Sequence, residues 1–121
     1  MYIQNIRDND FIVDHENNKM NLDIDTPLAL VLFYAPECPY SQVMLPLFND
    51  LVSAIVGCRF FKVNVCSETQ LVDRSSDTQF PLEYVPTMIL YKNGVPTDHM
   101  IGTDYSMHKL KEMILSSSLK F

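Results

Sequence analysis

Residues 28–35, LALVLFYA, form an unbroken apolar run rich in side chains that favour extended backbone. A half-exposed strand would alternate, so an unbroken run predicts a strand buried on both faces. The period then changes. Val43, Leu47, Phe48, Leu51, Val52 and Ile55 recur at helical spacing and Gly57 offers a close, which predicts an amphipathic helix over residues 39–56. Pro46 lies inside that span and predicts a kink. RFFKVNV, residues 59–65, returns to a strand pattern. Strand, helix and strand in this length predict a right-handed crossover with parallel strands.

A weaker helix is expected within residues 68–80. PTMILYK, the Asn93-Gly94 pair and a short strand around His99-Met100-Ile101 predict a hairpin, because Asn-Gly accepts the positive φ angles of a tight turn. A last helix is expected over residues 107–115, capped by Ser106, with Met107, Leu110, Met113 and Ile114 on its buried face. The first 27 residues carry the weakest pattern. Residues 2–7 read as an edge strand, and FIVDHENNKMNLDID as a helix or a turn-linked pair of short strands. The sum is one α/β domain over residues 1–121: a mixed parallel and antiparallel sheet with helices on both faces, in which residues 1–27 form an N-terminal β/α or β-hairpin portion.

Composition narrows the function classes. Of 121 residues, 47% are hydrophobic and 20% charged, an ordinary globular balance, and three Gly with seven Pro argue against low complexity. A net charge of -6 disfavours attraction to a phosphate backbone, so nucleic acid is not an expected partner. Residues 28–36 are too short to span a bilayer, and MYIQNIRDND lacks the layout of a secretory signal. The chain therefore reads as a soluble cytosolic protein with no membrane partner. Three cysteines without a short Cys-x-x-Cys pair make neither a disulfide framework nor a zinc site, and scattered His15, His99 and His108 do not rescue a metal reading.

Two motifs carry a resemblance. VLFYAPECPYSQVMLPLF resembles the active-site strand and helix of thioredoxin-fold proteins, in particular the catalytic domains of protein disulfide isomerases. The likeness includes Phe33-Tyr34-Ala35-Pro36 before Cys38 and the helix proline Pro46. YVPTMILYKNG resembles the second signature of that family, a cis-proline followed by Thr and a hairpin ending in Asn-Gly, and Gly102 also matches. The resemblance implies a thioredoxin fold and thiol–disulfide chemistry on protein disulfides. It implies that Pro86 is cis and packs against the Cys38 turn, and that the Val85 backbone pairs with substrate.

Cys38 would cap the helix that begins at Pro39, a favourable first helical residue. The free amides of Tyr40 and Ser41, with the positive end of the helix dipole, would favour thiolate over thiol. A buried, inert Cys38 is the other reading, as for many lone cysteines. In the family a second cysteine resolves the mixed disulfide. Ser41 stands there, and a hydroxyl forms no S–S bond, though it can donate a hydrogen bond to the thiolate. The site is expected to form mixed disulfides and to need an outside thiol, as in isomerisation or glutathione-assisted reduction. Cys66 follows its strand, as Cys38 does, and is a candidate second redox residue; an ordinary loop cysteine is the other reading, since a disulfide needs Cα atoms within about 7 Å. Cys58 precedes that strand and lies about 20 Å or more from the active edge, so it is expected to be structural.

The chain also departs from the family. Leu32 occupies the place of a usual buried carboxylate, Glu37 that of a usual Trp, and Tyr84 that of a usual small residue. Glu37 is expected to oppose thiolate formation and to repel glutathione's carboxylates. Cys38-Pro39-Tyr40 is also how glutaredoxin sites begin, monothiol glutaredoxins carry Ser in fourth place, and Gly102-Thr103-Asp104 loosely resembles the glutaredoxin turn that holds a γ-glutamyl group. The lysine that glutaredoxins place before the motif is absent. Glutathione is thus a candidate co-substrate, and no resident cofactor is expected. The expected site comprises Cys38, Ser41 and Pro86, with Pro39, Tyr40, Tyr84, Val85 and Thr87 facing substrate. The alternative function is a redox-inactive thioredoxin-fold binding module that recognises a partner through Tyr34, Tyr40, Tyr84 and Val85, since fold alone does not establish activity.

Overall fold

A computed structural model describes residues 3–102 and 107–119, apart from the side chains at 107, 108 and 117–119. The elements in chain order are β1 (Ile3–Asn5), a 3₁₀ turn (Asp8–Asp10), β2 (Phe11–Asp14), β3 (Lys19–Leu22), β4 (Leu28–Tyr34), α1 (Pro39–Ala54), β5 (Arg59–Asn64), α2 (Gln70–Ser75), β6 (Thr87–Lys92), β7 (Val95–Ile101) and α3 (Met107–Leu119). The main sheet has the order β1-β5-β4-β6-β7, with β1, β5 and β4 parallel and β6 and β7 antiparallel. This is the thioredoxin fold, a mixed sheet with helices on both faces.

Successive side chains of β4 point to opposite faces, and both faces are covered. Leu28, Leu30 and Leu32 join Met44, Phe48, Leu51 and Val52 of α1 and Leu110 and Ile114 of α3. Ala29, Val31 and Phe33 join Phe11, Met20 and Leu22 of the β2–β3 hairpin and Leu71 of α2. That double burial is why β4 is apolar at every position from Leu28 to Phe33 rather than at alternate ones.

Several expectations are corrected by packing. Val43 is 63% exposed; the buried stripe of α1 runs through Ser41, Met44, Phe48, Leu51 and Val52. The apolar arc of the helix is wider than the sheet beneath it, so one edge stays in solvent. The helix ends at Ala54 with Ile55 in extended conformation, two residues before Gly57 takes φ +88°. β7 begins directly after the turn at Val95 rather than near His99, its polar and proline residues having masked an edge strand. A bulge opposite Leu90 and Tyr91 absorbs the irregularity. α3 runs four residues past the expected Leu115. Tyr2, the Ser106 cap and the Met107 side chain lie outside the described residues.

The N-terminal segment forms an edge strand and a hairpin. The β2–β3 turn is held by the Asp14 carboxylate, which accepts hydrogen bonds from the Glu16 amide at 3.1 Å, the Asn17 amide at 3.2 Å and the Asn17 side chain at 2.7 Å. Asn93 and Gly94 both have positive φ, as a tight hairpin turn requires. Gly94 also docks the two sheets: its carbonyl accepts the Leu22 amide at 2.8 Å, and a Cβ there would meet the Leu22 oxygen at 2.7 Å. Arg74 of α2 donates to the carbonyls of Asp8 and Phe11, each at 2.6 Å, fastening the 3₁₀ turn to the domain.

Loss of that clamp leaves two carbonyls without their charged donor, so Arg74→Ala is expected to cost about 2 kcal/mol in urea unfolding. Tyr91 is fully buried and its hydroxyl has no partner among the described residues. Tyr91→Phe is therefore expected to raise stability by about 1 kcal/mol, and a loss in the same titration would contradict it.

Candidate functional site

The site forms where β4 hands the chain to α1. The strand ends at Tyr34, and a turn follows in which the Cys38 amide donates to the Ala35 carbonyl at 3.1 Å. Cys38 is the N-cap, with φ -75° and ψ 123°, and Pro39 takes the first helical position, where no amide hydrogen is needed. The Cys38 carbonyl accepts the Gln42 amide at 3.1 Å, which starts the helical ladder.

Ser41 is completely buried, and its hydroxyl oxygen accepts the Ala35 amide at 3.2 Å. That bond leaves the hydroxyl proton free to turn toward the sulfur. Cys38 is only partly buried. The Ser41 amide does most to lower the thiol pKa below its ordinary value; partial desolvation opposes it, and the Tyr40 amide and Ser41 hydroxyl lower it further. Glu37, immediately before Cys38, is exposed to solvent.

The opposite wall comes from the α2–β6 connection. Ser75 holds this loop by accepting the Leu82 amide at 2.9 Å, and Phe80 stacks on His99 of β7 with centroids 4.4 Å apart. The loop delivers Val85–Pro86, whose peptide bond is cis. The Cys38 thiol approaches the Val85 carbonyl at 3.9 Å. Thr87 is buried and donates to the Tyr84 carbonyl at 2.7 Å, while the Pro86 carbonyl accepts the Gly102 amide at 2.8 Å. Thr87 therefore props the loop and does not face a substrate. Tyr40 and Tyr84 are 64% and 62% exposed and flank the sulfur's surroundings from the helix and the loop. Val43 is also exposed on α1, which the sequence did not reveal because its spacing fits the buried stripe.

All three cysteines are free. Cys66 is exposed, its amide bonded to the Asn64 side chain at 2.9 Å, just beyond the strand end that pairs with Tyr34. It lies at the same end of the sheet as Cys38. Cys58 is buried before the other end of β5, and burial pushes its pKa up to about 12. Leu32 is wholly buried among apolar side chains, so no carboxylate stands beneath the site at that position. Thr103 and Asp104 lie outside the described residues. Among the described residues, no group of three or more His, Cys, Asp or Glu is placed to hold a metal ion, and no helix is long and apolar enough to cross a membrane.

Comparison with known proteins identifies the family and the fold. The sequence profile of the family described as Thioredoxin matches residues 11–116. Uncharacterized protein 196R of Invertebrate iridescent virus 6 is 32% identical over 97 residues, which cover 80% of this chain and 55% of the viral protein. This chain thus spans about half the length of that relative. Thioredoxin H4 of Arabidopsis thaliana is 30% identical over 74% of this chain and 76% of its own. Among solved structures, a thioredoxin mutant from Halobacterium salinarum superposes with a TM-score of 0.67 over 80% of each chain, at 22% identity.

Because the thiolate is the reactive form, alkylation of Cys38 should rise with pH through a midpoint below that of an ordinary thiol. Ser41→Ala removes one donor and is expected to move the midpoint upward while the two backbone amides keep it lowered. Cys58 is expected to stay unlabelled at neutral pH in the folded protein. An unchanged midpoint in Ser41→Ala would remove Ser41 from the account.

Proposed function

This chain belongs to the thioredoxin family, and from that premise we propose that it takes part in thiol–disulfide exchange through one nucleophilic thiol, Cys38. The observation that carries the reading is the partly exposed Cys38 sulfur at the start of α1, its pKa lowered by the Ser41 and Tyr40 amides, opposite the Val85 carbonyl. The catalytic set is Cys38, Ser41 and Pro86, with Pro39, Tyr40, Tyr84 and Val85 shaping the substrate surface. This variant of the family's site is closest in kind to the catalytic domains of protein disulfide isomerases.

In the first step the Cys38 thiolate attacks one sulfur of a protein disulfide. The Cys38–client S–S bond forms as the client bond breaks, and the other client sulfur leaves as thiolate. Ser41 cannot attack the mixed disulfide, so it persists until another thiolate arrives. If that is the client's own second thiolate, Cys38 is regenerated and the client is isomerised. If it is glutathione, the client becomes bound to glutathione or released reduced, depending on which sulfur is attacked. Losing the second thiol is consistent with the apolar Leu32, since no resolving thiol then needs a proton acceptor beneath it.

A second reading has its own observation. Tyr40, two residues after Cys38, and Tyr84, next to Val85 whose carbonyl faces the sulfur, expose apolar surface, as a redox-inactive partner-binding module would. Incubation with oxidised glutathione followed by intact-mass measurement separates the two. One adduct, absent in Cys38→Ala and reversed by reduced glutathione, is the expected result. A loss of two hydrogens requiring both Cys38 and Cys66 would instead assign Cys66 as a resolving thiol. An unmodified Cys38 would refute exchange and leave the binding module.

A further inference from the structure

Three parallel strands end together beside the Cys38 turn, β1 at Asn5, β5 at Asn64 and β4 at Tyr34. Asn5 pairs with Lys62 and Tyr34 with Asn64, and Lys62 and Asn64 are two apart on β5, so all four share one face of the sheet. A hollow of about 480 Å³ opens at this end, with Asn5, Arg7, Tyr34, Asn64, Ser67 and Glu68 in its lining.

The charges here are incompletely matched. Glu68 is engaged, accepting the Asp8 amide at 2.9 Å and facing Arg7 at 3.7 Å. Arg7 is 78% exposed, so most of its donors remain free for a ligand. Lys62 is half-buried with its ammonium 5.9 Å from the Tyr34 ring centroid, and among the described residues it makes no ion pair. Its neighbour across the sheet is Leu32, which offers no counter-charge. The Asn64 oxygen is taken by the Cys66 amide, which leaves its NH₂ group as a donor. Arg7 and the Asn64 amide donor thus line the hollow with Glu68, and Lys62, on the same sheet face as Asn5, Tyr34 and Asn64, stands next to that lining with its ammonium near the Tyr34 ring.

We infer that this hollow is a subsite for a carboxylate on the disulfide substrate, an acidic side chain held by Arg7, Lys62 and Asn64 while Cys38 attacks. The inference rests on the exchange reading above and gives it a substrate preference. Tyr34 and Cys38 are four residues apart, so the hollow's wall lies within about 14 Å of the nucleophile. An extended client covers that span with about four residues, which places the acid within about four positions of the reacting cysteine. Glu37, exposed immediately before Cys38, disfavours an acid closer in.

The test uses extended peptides, each with one cysteine in disulfide linkage to a chromogenic thiol and with Glu or Gln placed one to five residues to either side. Attack on the peptide sulfur releases the chromogenic thiolate, which gives the rate. The native chain is expected to react about two- to fivefold faster with Glu than with Gln at one spacing, less so at high salt. Arg7→Gln and Lys62→Met should each reduce that ratio toward one with the Gln-peptide rate unchanged. The unchanged rate reports an intact Cys38 and fold, and Arg7→Gln alone suffices should Lys62→Met unfold. No Glu preference at any spacing, or one that survives both substitutions, would overturn the subsite. No release from any peptide would instead defeat the exchange reading. If the substitutions slow only exchange with oxidised glutathione, the hollow takes that molecule's carboxylate and the peptide subsite is wrong.

Discussion

Everything in this protein hangs on β4 being buried on both sides. The strand sits at the centre of the sheet, parallel to β5 and antiparallel to β6, and its side chains alternate between the two apolar clusters. A strand in that position has little freedom to slip, because a shift by one residue would exchange the sets of side chains facing α1 and the β2–β3 hairpin. The fixed register carries through to the last residue. Tyr34 is held opposite Asn64, and the turn that follows starts from a defined point.

From that point the site is assembled by backbone geometry. The amides that act on the sulfur belong to the helix start, and their direction is set by Pro39 and by the Ala35–Cys38 turn. Ser41 adds a hydroxyl that is itself fixed by the Ala35 amide, so the serine ties the turn to the helix as well as acting on the thiol. A cysteine at that place would supply a second thiol. The buried serine retains a polar contact and leaves Cys38 as the one thiol of this turn, above an apolar Leu32.

The acidic chain has an uneven surface around this site. Glu37 stands exposed beside the sulfur, while Lys62 and Arg7 lie toward β1 at the end of the parallel strands. The cis Val85–Pro86 bond and the exposed Tyr40 and Tyr84 form the other border. Apolar contact is thus available beside the sulfur on the helix and loop sides, and positive charge on the β1 side.

Local signals in the chain were sufficient for most of the fold. Apolar continuity marked β4, helical spacing marked α1, and Asn93-Gly94 marked the hairpin, because each depends on neighbours a few residues apart. The Cys38-Pro39 junction was legible for the same reason. The N-terminal 27 residues were legible only in part. Their edge strand shows in the pattern, while the next segment fits either a helix or paired short strands, since that hairpin is also stabilised by docking on the main sheet through Leu22, Gly94 and Arg74. Thr87 was expected at the substrate surface and instead braces the loop, and Val43 was expected inside and lies outside. Sequence alone determined the kinds of element and the place of Cys38 at a helix start, because those are written in local spacing and residue type. Only the tertiary structure decided which apolar side chains face water and that Lys62 stands opposite Leu32 with no ion pair among the described residues, because both depend on strand register and on segments far apart in the chain.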